Sequence, residues 1–526
     1  MRVPLLLDDF LKRPSQLFPD KTAIVDRDRR FTYREFHNRV NQLSNALITQ
    51  GLKPGDRVAI LSPNSHFFVE SLFATAQVGL VAVPINFRLN AQEIAYILQH
   101  SGARAIIADY DFTELVEGIR KDLPALEHLI EARYDERASD GWLNLDLWIS
   151  GQSSELQHAV ERDEDDTVSI NYTSGTTAAP KGVMLTHRNF YINAYDMIAH
   201  LRLAHDDVEL WTLPMFHCNG WGAIYALIGL GATHVVLRQV DAKQIFELTE
   251  KEGVTFMCMA PIVFRMIMEF AEKDKYKIRQ PVRVVMGGAP PPAAFIEALE
   301  TGLGWRFVQI YGLTETAPLL TYHVPDYQTQ QSDYKRRARA GIAALGADLQ
   351  LLDDDGKPVP KDNETVGEIC ARGNMVFKGY WEQPEQTNAA IYDGYFHTGD
   401  LAVWDEVGNI QIVDRKKDVI ISGGENISSV DIEDVLYRHE AVAECAVIGI
   451  PDPKWGETPK ALIVLHQGAT ANEQEIMKFC RDNLAHFKCP TSIEFLPQLP
   501  RTATGKLQKF KLREQYWQGR EQKVAS

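Results

Sequence analysis

Hydrophobic and polar positions along the first two thirds of the chain follow two alternating periods. Apolar runs of four to seven residues have the character of buried strands, and the segments between them repeat apolar residues at helical spacing. Two capping boxes, Thr32-x-x-Glu35 and Asn90-x-x-Glu93, mark helix starts. The predicted elements are a helix after 32, a strand at 57–61, a helix at 67–78, a strand at 80–85, a helix after 90 and a strand at 104–108.

The pattern of predicted helices and strands changes twice further along the chain. Strand candidates alternate with helices again after a polar stretch at 133–166, and short strands and turns take over from about Ala340. A dense charge cluster at 414–418 indicates a domain boundary, followed by a compact α+β pattern. We therefore expect an α/β fold: a large N-terminal domain of two α/β sheet subdomains plus a β-barrel-like segment, and a small α+β C-terminal domain. The later strand candidates are 235–237, 255–259, 282–286, 307–310 and 349–352.

Composition narrows the class of protein. The 526 residues carry a net charge of −16, which argues against a general nucleic-acid partner. Six scattered cysteines without C-x-x-C spacing predict neither a zinc site nor a disulfide framework. We expect no stable membrane insertion and a cytoplasmic location, and the chain does not end in the peroxisomal Ser-Lys-Leu signal. A homodimer is one quaternary state that the sequence leaves open.

A loop rich in glycine and hydroxyl residues is the strongest candidate for chemistry. Residues 173–182 lie between an apolar run and an amphipathic segment starting near Thr186. Backbone N–H groups and hydroxyls in such a loop can surround phosphate oxygens, and Lys181 adds positive charge. A P-loop of nucleoside triphosphatases is excluded, because Gly182 and Val183 follow Lys181 where that motif needs Ser or Thr. An ordinary polar turn stays open for this loop taken alone.

Four further loops follow in a fixed order: Gly287-Gly288-Ala289-Pro290, Tyr311-Gly312-Leu313-Thr314-Glu315, Thr398-Gly399-Asp400 and Pro500-Arg501-Thr502-Ala503-Thr504-Gly505-Lys506. Together with the phosphate loop and Ser422-Gly423-Gly424-Glu425-Asn426, they resemble the adenylate-forming family of acyl-CoA synthetases, peptide-synthetase adenylation domains and luciferases, over nearly the whole chain. The resemblance implies that a carboxylate attacks the α-phosphorus of ATP, giving acyl-AMP and pyrophosphate. A thiol, usually that of CoA, then attacks the acyl carbon.

The resemblance also assigns the nucleotide site. Thr314 would contact the α-phosphate, Glu315 with Thr176 would hold Mg²⁺, and Lys506 would stabilise charge during adenylation. Without the family context, Lys506 would be interpreted as a solvated lysine of a basic tail. The residues implied in ATP and AMP binding are Thr173, Ser174, Gly175, Thr176, Thr177, Lys181, Gly288, Ala289, Pro290, Tyr311, Gly312, Thr314, Asp400, Arg415 and Lys506.

The resemblance further implies that the small C-terminal domain is mobile. It would swing about Lys417 between the two half-reactions, so that Ser422, Gly423, Gly424 and Glu425 reach the site for the CoA step. The implied boundaries are 1–414 for the AMP- and acyl-binding domain, 415–418 for the hinge and 419–526 for the lid domain. A plain hairpin turn is the alternative interpretation of the paired glycines.

The segment 214–222 corresponds to the acyl pocket of the family. His217 is a catalytic or gating candidate, although a core histidine is also consistent with the pattern, and Trp221 is either a pocket wall or core. No charged residue suits an amino-acid substrate, and the pattern is most similar to fatty-acyl-CoA synthetases. The predicted pocket residues are His217, Asn219, Gly220, Trp221, Gly287, Gly288 and Leu319.

The predicted function is an ATP-dependent acid–CoA ligase for an apolar, short- to medium-chain aliphatic acid. The open alternatives are an aryl-acid–CoA ligase, an acyl-AMP ligase that loads a carrier protein, a luciferase-like oxygenase, and a nucleotide- or acyl-binding pseudo-enzyme. The pseudo-enzyme is disfavoured, because Lys181, Glu315, Asp400, Arg415 and Lys506 are all present.

Overall fold

The computed structural model describes residues 2–173, 180–288, 291, 293–323, 333–416, 418–422, 425–501 and 507–517, with only the backbone at 262, 425, 426 and 487. The strands are β1 Thr22–Asp26, β2 Arg29–Thr32, β3 Arg57–Leu61, β4 Val81–Pro84, β5 Ala103–Asp109, β6 His128–Ala132, β7 Leu143–Asn144, β8 Thr167–Thr173, β9 Lys181–Thr186, β10 Val208–Leu210, β11 Thr233–Val236, β12 Phe256–Met259, β13 Arg283–Met286, β14 Arg306–Tyr311, β15 Thr321–Tyr322, β16 Ile342–Ala343, β17 Asp348–Leu352, β18 Gly367–Arg372, β19 Gly379–Tyr380, β20 Ile391–Tyr392, β21 Tyr395–Trp404, β22 Ile410–Arg415, β23 Ile420–Ser422, β24 Glu425–Ile427, β25 Val442–Asp452, β26 Gly456–Leu465 and β27 Ser492–Phe495.

The helices are α1 Asp9–Leu17, α2 Tyr33–Thr49, α3 His66–Gln77, α4 Ala91–Ser101, α5 Thr113–Arg120, α6 Leu145–Ser150, α7 His187–Leu201, α8 Cys218–Trp221, α9 Ala223–Leu230, α10 Ala242–Glu252, α11 Pro261–Glu269, α12 Ala293–Leu303, α13 Tyr334–Arg337, α14 Pro384–Ala390, α15 Ser429–Leu436, α16 Glu473–Asn483 and α17 Lys509–Trp517. Both predicted capping boxes are confirmed. The side chains of Thr32 and Asn90 each accept a hydrogen bond from the backbone N–H three residues on, and the side chains of Glu35 and Glu93 accept one from the backbone N–H of Thr32 and Asn90.

Two large mixed sheets build most of the chain. One has the strand order β19-β9-β8-β4-β3-β5-β6-β7, and the other β16-β15-β14-β13-β12-β10-β11-β1-β2. Their central strands are parallel and their outer pairs include antiparallel ones. Every residue of α3 is buried, and the largest hydrophobic cluster joins this helix to strands of both sheets. The two sheets therefore share a core, which confirms the predicted pair of sheet subdomains.

The C-terminal third contains two smaller sheets. Strands β17-β18-β21-β20, with β22 paired to β21, form an antiparallel half-barrel where the sequence predicts a barrel-like segment. Beyond Arg415 the order β24-β23-β26-β25, with β27 on β26, packs against α15, α16 and α17. This small sheet has a hydrophobic cluster on each face. The fold class is thus confirmed, with a large N-terminal part and a small α+β C-terminal part.

The phosphate-loop region differs from its prediction in one respect. Lys181 does not lie in a loop that runs directly into a helix, because it begins strand β9, which pairs antiparallel with β8 so that Thr173 faces Lys181. Val183 and Leu185 are fully buried and supply the alternating pattern of this strand, which Gly182 obscures in the sequence. Helix α7 then follows Thr186 as predicted, with Thr186 as its N-cap.

All six cysteines are free and buried. Within the described ranges, no helix combines the length and the apolar character needed to cross a bilayer.

Candidate active site

A cavity of about 2200 Å³ lies where the two large sheets, the half-barrel and the small C-terminal sheet meet. It is lined by twelve of the residues that the sequence predicts for the site. These are Thr173, Lys181, His217, Trp221, Gly287, Gly288, Tyr311, Gly312, Thr314, Glu315, Asp400 and Arg415. The predicted nucleotide and acyl segments therefore converge on one space.

Parallel strands bring several of these residues together. Strands β12, β13 and β14 are neighbours that run in the same direction, so their carboxyl ends share one edge of the sheet. Gly287 and Gly288 follow β13, and Gly312 follows β14. Ligand sites of open α/β sheets lie at such an edge. The arrangement explains why loops distant in sequence lie in one site.

The loop after β14 has a fixed shape. A Cβ atom on Gly312 would lie 1.5 Å from the carbonyl oxygen of Pro318, so only glycine permits this close approach. The Thr316 hydroxyl donates to that same oxygen at 2.7 Å and accepts from the Leu313 amide at 3.0 Å. These contacts hold the short 3-10 turn at Thr314–Thr316. Thr314 and Glu315 are thus presented to the cavity from a rigid turn.

Glu315 and Lys181 share one aromatic neighbour. The Tyr380 hydroxyl donates a 3.0 Å hydrogen bond to Glu315 Oε1, and Lys181 Nζ lies 4.8 Å from the centre of the Tyr380 ring. Tyr380 belongs to β19, which pairs with β9, the strand of Lys181. Burial raises the pKa of Tyr380, and the Glu315 carboxylate raises it further, so the hydroxyl stays a donor. Sequence analysis missed Tyr380, since its spacing from Glu315 carries no motif.

The oxygen ligand of Glu315 suits a hard cation. Mg²⁺ prefers carboxylate oxygens and usually bridges substrate phosphates, and the Glu315 carboxylate faces the cavity from a fixed turn. Among the described residues, Glu315 therefore fits the magnesium site that the sequence predicts. Its predicted partner, Thr176, lies outside the described residues.

Asp400 is held by two partners on opposite oxygens. The Tyr311 hydroxyl donates to Asp400 Oδ2 at 2.8 Å, and Arg415 Nε lies 2.9 Å from Oδ1. Asp400 and Arg415 face each other across strands β21 and β22. The negative charge of Asp400 raises the pKa of Arg415. A carboxylate has further lone pairs, so Asp400 can still accept bonds from ribose hydroxyls.

The acyl segment adopts an unusual backbone. Five consecutive residues, from Cys218 to Gly222, have φ angles between 47° and 71°. Four-residue helix α8 is therefore a left-handed turn, and runs of this kind persist only where surroundings impose them. His217, at its start, is half-buried and Trp221 is buried, and both line the cavity. Both residues therefore lie on the cavity wall, and neither is enclosed in the core away from it.

Three predicted pocket residues lie behind this wall. Asn219 is fully buried and bonds Asn171 and Tyr225, so it braces the turn rather than facing the cavity. A Cβ on Gly220 would lie 2.4 Å from the Trp211 ring. Leu319 is also fully buried, and none of the three lines the cavity. Asn219 and Gly220 belong to the left-handed turn and Leu319 to the loop after β14. All three pack in the core, so their place in the acyl pocket stays a prediction.

Asn193 links the segment of Trp221 to the loop between β14 and β15. Its Nδ2 atom donates to the Trp221 carbonyl at 3.1 Å, and its Oδ1 accepts from the Leu319 amide at 3.1 Å. Sequence analysis did not select Asn193, because a buried polar residue inside an amphipathic helix has no distinctive pattern. It fixes the position of the tryptophan relative to the Thr-Glu turn.

The predicted CoA segment is described in part, at Ser422 and at the Glu425 backbone. Ser422 and Glu425 pair across the β23–β24 hairpin, and Ser422 does not line the cavity. The residues flanking 502–506, Arg501 and Leu507, do line it. Strands β23 and β24 pair antiparallel, and the role of this segment in the CoA step stays a prediction. The described part of the chain does not include ten predicted site residues or the side chain of Glu425. The ten residues are Ser174, Gly175, Thr176, Thr177, Ala289, Pro290, Lys417, Gly423, Gly424 and Lys506.

Comparison with known proteins gives the same family as the sequence motifs. Residues 11–381 match the model of the AMP-binding enzyme family, and residues 431–506 match that of the AMP-binding enzyme C-terminal domain. The chain is 38% identical to 4-hydroxybutyrate–CoA ligase 2 of Metallosphaera sedula, over 97% of this chain and 94% of the relative. It is 37% identical to a peroxisomal butyrate–CoA ligase of Arabidopsis thaliana, over 97% and 93%.

A solved structure agrees over the whole length. The anthranilate CoA ligase AuaEII in complex with anthranoyl-AMP superposes with a TM-score of 0.91 at 30% identity, covering 98% of each chain. With the cavity, the Thr-Glu turn and the Asp400 cluster described above, these similarities establish the reaction class: ATP-dependent ligation of an acid to CoA through an acyl-AMP, with ATP, Mg²⁺ and CoA as the reactants and cofactor. The chain belongs to the AMP-binding enzyme family.

Proposed function

We propose that this ligase activates a short-chain aliphatic carboxylic acid and transfers it to CoA. The acid would be of about the size of butyrate, which is at the short end of the range predicted from the sequence. The similarity to ligases named for 4-hydroxybutyrate and butyrate supports this class.

The contact between Trp221 and Gly287 carries the proposal. A Cβ on Gly287 would lie 3.1 Å from Trp221 Cη2 and 3.1 Å from Ile310 Cγ1, so the indole and the isoleucine close one end of the acyl space. Both Trp221 and Ile310 are buried and line the cavity. A large indole in that place leaves room for a few carbons rather than a long chain.

The chemistry of the same wall favours an uncharged tail. Along 214–222 and at Gly287, the titratable side chains are His217 and Cys218. Burial raises the pKa of the Cys218 thiol, and the nearby Glu315 raises it further, so this thiol stays neutral. No carboxylate of this wall would pair with an amino group of a substrate. An apolar acid therefore fits better than an amino acid.

In the first half-reaction, a carboxylate oxygen of the acid would attack the α-phosphorus of ATP, and pyrophosphate would leave. We assign Thr314 to the α-phosphate, Lys181 to the outer phosphates, and Asp400 with Tyr311 and Arg415 to the ribose. Lys506 would stabilise the developing charge. When bound, Mg²⁺ would neutralise phosphate charge, and Glu315 would hold it. His217 would orient the acid.

In the second half-reaction, the CoA thiol would lose its proton and attack the acyl carbon, and AMP would leave. We propose that residues 1–414 stay fixed, that 419–526 rotate about the hinge at 415–418 with Lys417 as its pivot, and that Ser422 to Glu425 then line the thiol path. We further propose that the enzyme is located in the cytoplasm and forms a homodimer.

The test is pyrophosphate release across acetate, butyrate, 4-hydroxybutyrate, hexanoate, octanoate, benzoate and anthranilate, with and without CoA. The proposal expects CoA-dependent turnover with a maximum at about four carbons. A maximum at benzoate or anthranilate would replace it with the aryl-acid alternative, which the similarity to an anthranilate ligase favours. Pyrophosphate exchange without CoA turnover would indicate a carrier protein as acceptor. No reaction with any acid would contradict the proposed substrate class.

A further inference from the structure

One carboxylate of the small C-terminal part joins two arginines from different parts of the chain. Glu444 Oε1 lies 2.9 Å from Arg265 Nη1, and Glu444 Oε2 lies 2.9 Å from Arg501 Nη2. Glu444 is on β25 and Arg265 on α11 of the nine-stranded-sheet region. The side chain of Glu444 is 16% exposed, so the two ion pairs are partly shielded from solvent.

Arg501 directly precedes residues 502–506, the segment of the sequence that ends in Lys506. The backbones of Arg501 and Leu507 form an antiparallel bridge, and the Gln508 amide donates to the Pro500 carbonyl at 2.9 Å. These contacts join Arg501 to the start of α17. A partner that holds Arg501 therefore helps to set the position of the Arg501–Leu507 bridge.

The orientation of the small C-terminal part determines which of its residues face the cavity. Arg265, Glu444, Arg501 and Leu507 all line the cavity that contains Glu315, whereas Ser422 does not. A second contact, between the rings of Phe295 and Tyr437 at 6.3 Å, supports the same orientation from α12. The structure thus presents Arg501 and Leu507 of the small part to the cavity.

We propose that Glu444 is a positioning residue that clamps the small domain in its adenylation orientation through Arg265 and Arg501. The inference rests on the proposed function, in which this domain moves between half-reactions. On rotation, Arg501 would travel with Glu444 and keep its ion pair, but Arg265 would stay behind. The Arg265–Glu444 pair can therefore favour one orientation only, and its loss should affect the two half-reactions differently.

The experiment measures both half-reactions in Glu444→Gln, Arg265→Gln and the double variant. We expect acyl-AMP formation to fall roughly three- to tenfold, the range for partly buried ion pairs. Thioester formation from supplied butyryl-AMP should be unchanged or faster. The double variant should lose no more than Glu444→Gln, because both changes remove the same contact.

Asp482→Asn is the matched control, since it neutralises an exposed carboxylate of the same domain that pairs with Lys478 outside the cavity. Equal losses in both half-reactions, additive effects of the two substitutions, or adenylation in Glu444→Gln equal to that of Asp482→Asn would overturn the clamp. Small-angle X-ray scattering gives a readout independent of activity: Glu444→Gln should shift the distribution of domain orientations, and Asp482→Asn should not. An unshifted distribution would also overturn the clamp, whereas a wild-type enzyme inactive on every acid would contradict the proposed substrate class alone.

Discussion

The Tyr380 hydroxyl donates a 3.0 Å hydrogen bond to Glu315, although 65 residues separate them in the chain. This bond orients the carboxylate that we assign to Mg²⁺, and the same ring lies beside Lys181. One tyrosine on the short strand β19 therefore contacts both charged side chains, one assigned to Mg²⁺ and the other to the outer phosphates of ATP.

Replacing Tyr380 by Phe should weaken magnesium binding without removing a charge. Loss of a hydrogen bond to a charged group corresponds to about 1.5–3 kcal/mol, so we expect roughly a tenfold or greater fall in acyl-AMP formation at low Mg²⁺. Raising the Mg²⁺ concentration should recover part of the loss. Tyr516→Phe is the control, because Tyr516 also bonds a glutamate, Glu494, but away from the cavity. An unchanged Mg²⁺ dependence in Tyr380→Phe would remove this role.

Asp400→Asn should raise the KM for ATP. The substitution removes the charged acceptor for the ribose and leaves Arg415 without its partner, so we expect at least a tenfold rise, from a charge-assisted bond of about 1.5–3 kcal/mol. The chain offers a close control in the same sheet. Asp348 bonds Arg372 and Tyr395 as Asp400 bonds Arg415 and Tyr311, but it does not line the cavity. Equal KM values in Asp400→Asn and Asp348→Asn would contradict the ribose assignment.

Changes at the acyl wall should move substrate preference in opposite directions. Trp221→Leu opens the end of the acyl space and should favour longer acids, whereas a Cβ in Gly287→Ala meets Trp221 at 3.1 Å and should disfavour them. Each buried methylene contributes about 0.8 kcal/mol, so we expect roughly fourfold per carbon in kcat/KM. Gly118→Ala is the control, since its Cβ would meet no atom of the described residues within 4 Å. If both variants kept the wild-type preference, this wall would not set chain length.

A buried aspartate on helix α7, Asp196, predicts a dependence of stability on pH. Burial raises the pKa of Asp196 to about 7, and its Oδ2 atom has no hydrogen-bond partner among the described residues. The unfolded chain ionises near the ordinary value of 3.8, so between there and about pH 7 the folded state binds more protons. The Asp196 contribution to stability is therefore present at low pH and is lost as the pH rises to about 7.

Asp196→Asn should accordingly raise the melting temperature at pH 8 and change it little at pH 4. Thermal unfolding of variant and wild type at both pH values measures the difference. Asp20→Asn, at an exposed carboxylate, should give the same small change at both. A pH-independent effect of Asp196→Asn would show that the carboxyl is ionised throughout.

The fold could be predicted from the sequence because helix caps and apolar runs depend on interactions between residues close together in the chain. The capping boxes at Thr32 and Asn90 and the apolar runs of β3 and β13 specify their elements within a few residues. Strand β9 was missed, since Gly182 interrupts its alternation. The antiparallel pairing that creates this strand depends on β8 and β19 on either side.

The site was predicted where short motifs carry it. The Thr314–Glu315 turn and Asp400 follow from motif and order, and both line the cavity. Tyr380, Asn193 and the Arg265–Glu444 pair were not predicted, because their partners are distant in sequence and only folding brings them together. Asn219 does not line this cavity, and its role in the acyl pocket stays a prediction, since spacing alone does not reveal a left-handed turn.

The most direct test of the two-step account is a rapid-quench measurement with butyrate and ATP, first without CoA and then with CoA added. We predict that butyryl-AMP and pyrophosphate form in equal amounts on the enzyme, and that CoA then converts the intermediate to butyryl-CoA and AMP. Lys506→Ala should lose the first step by at least roughly a hundredfold, the scale of a preorganised charge at a reacting phosphate, and largely keep the second from supplied butyryl-AMP. Formation of ADP, thioester without an adenylate, or equal losses in both steps of the variant would contradict the account.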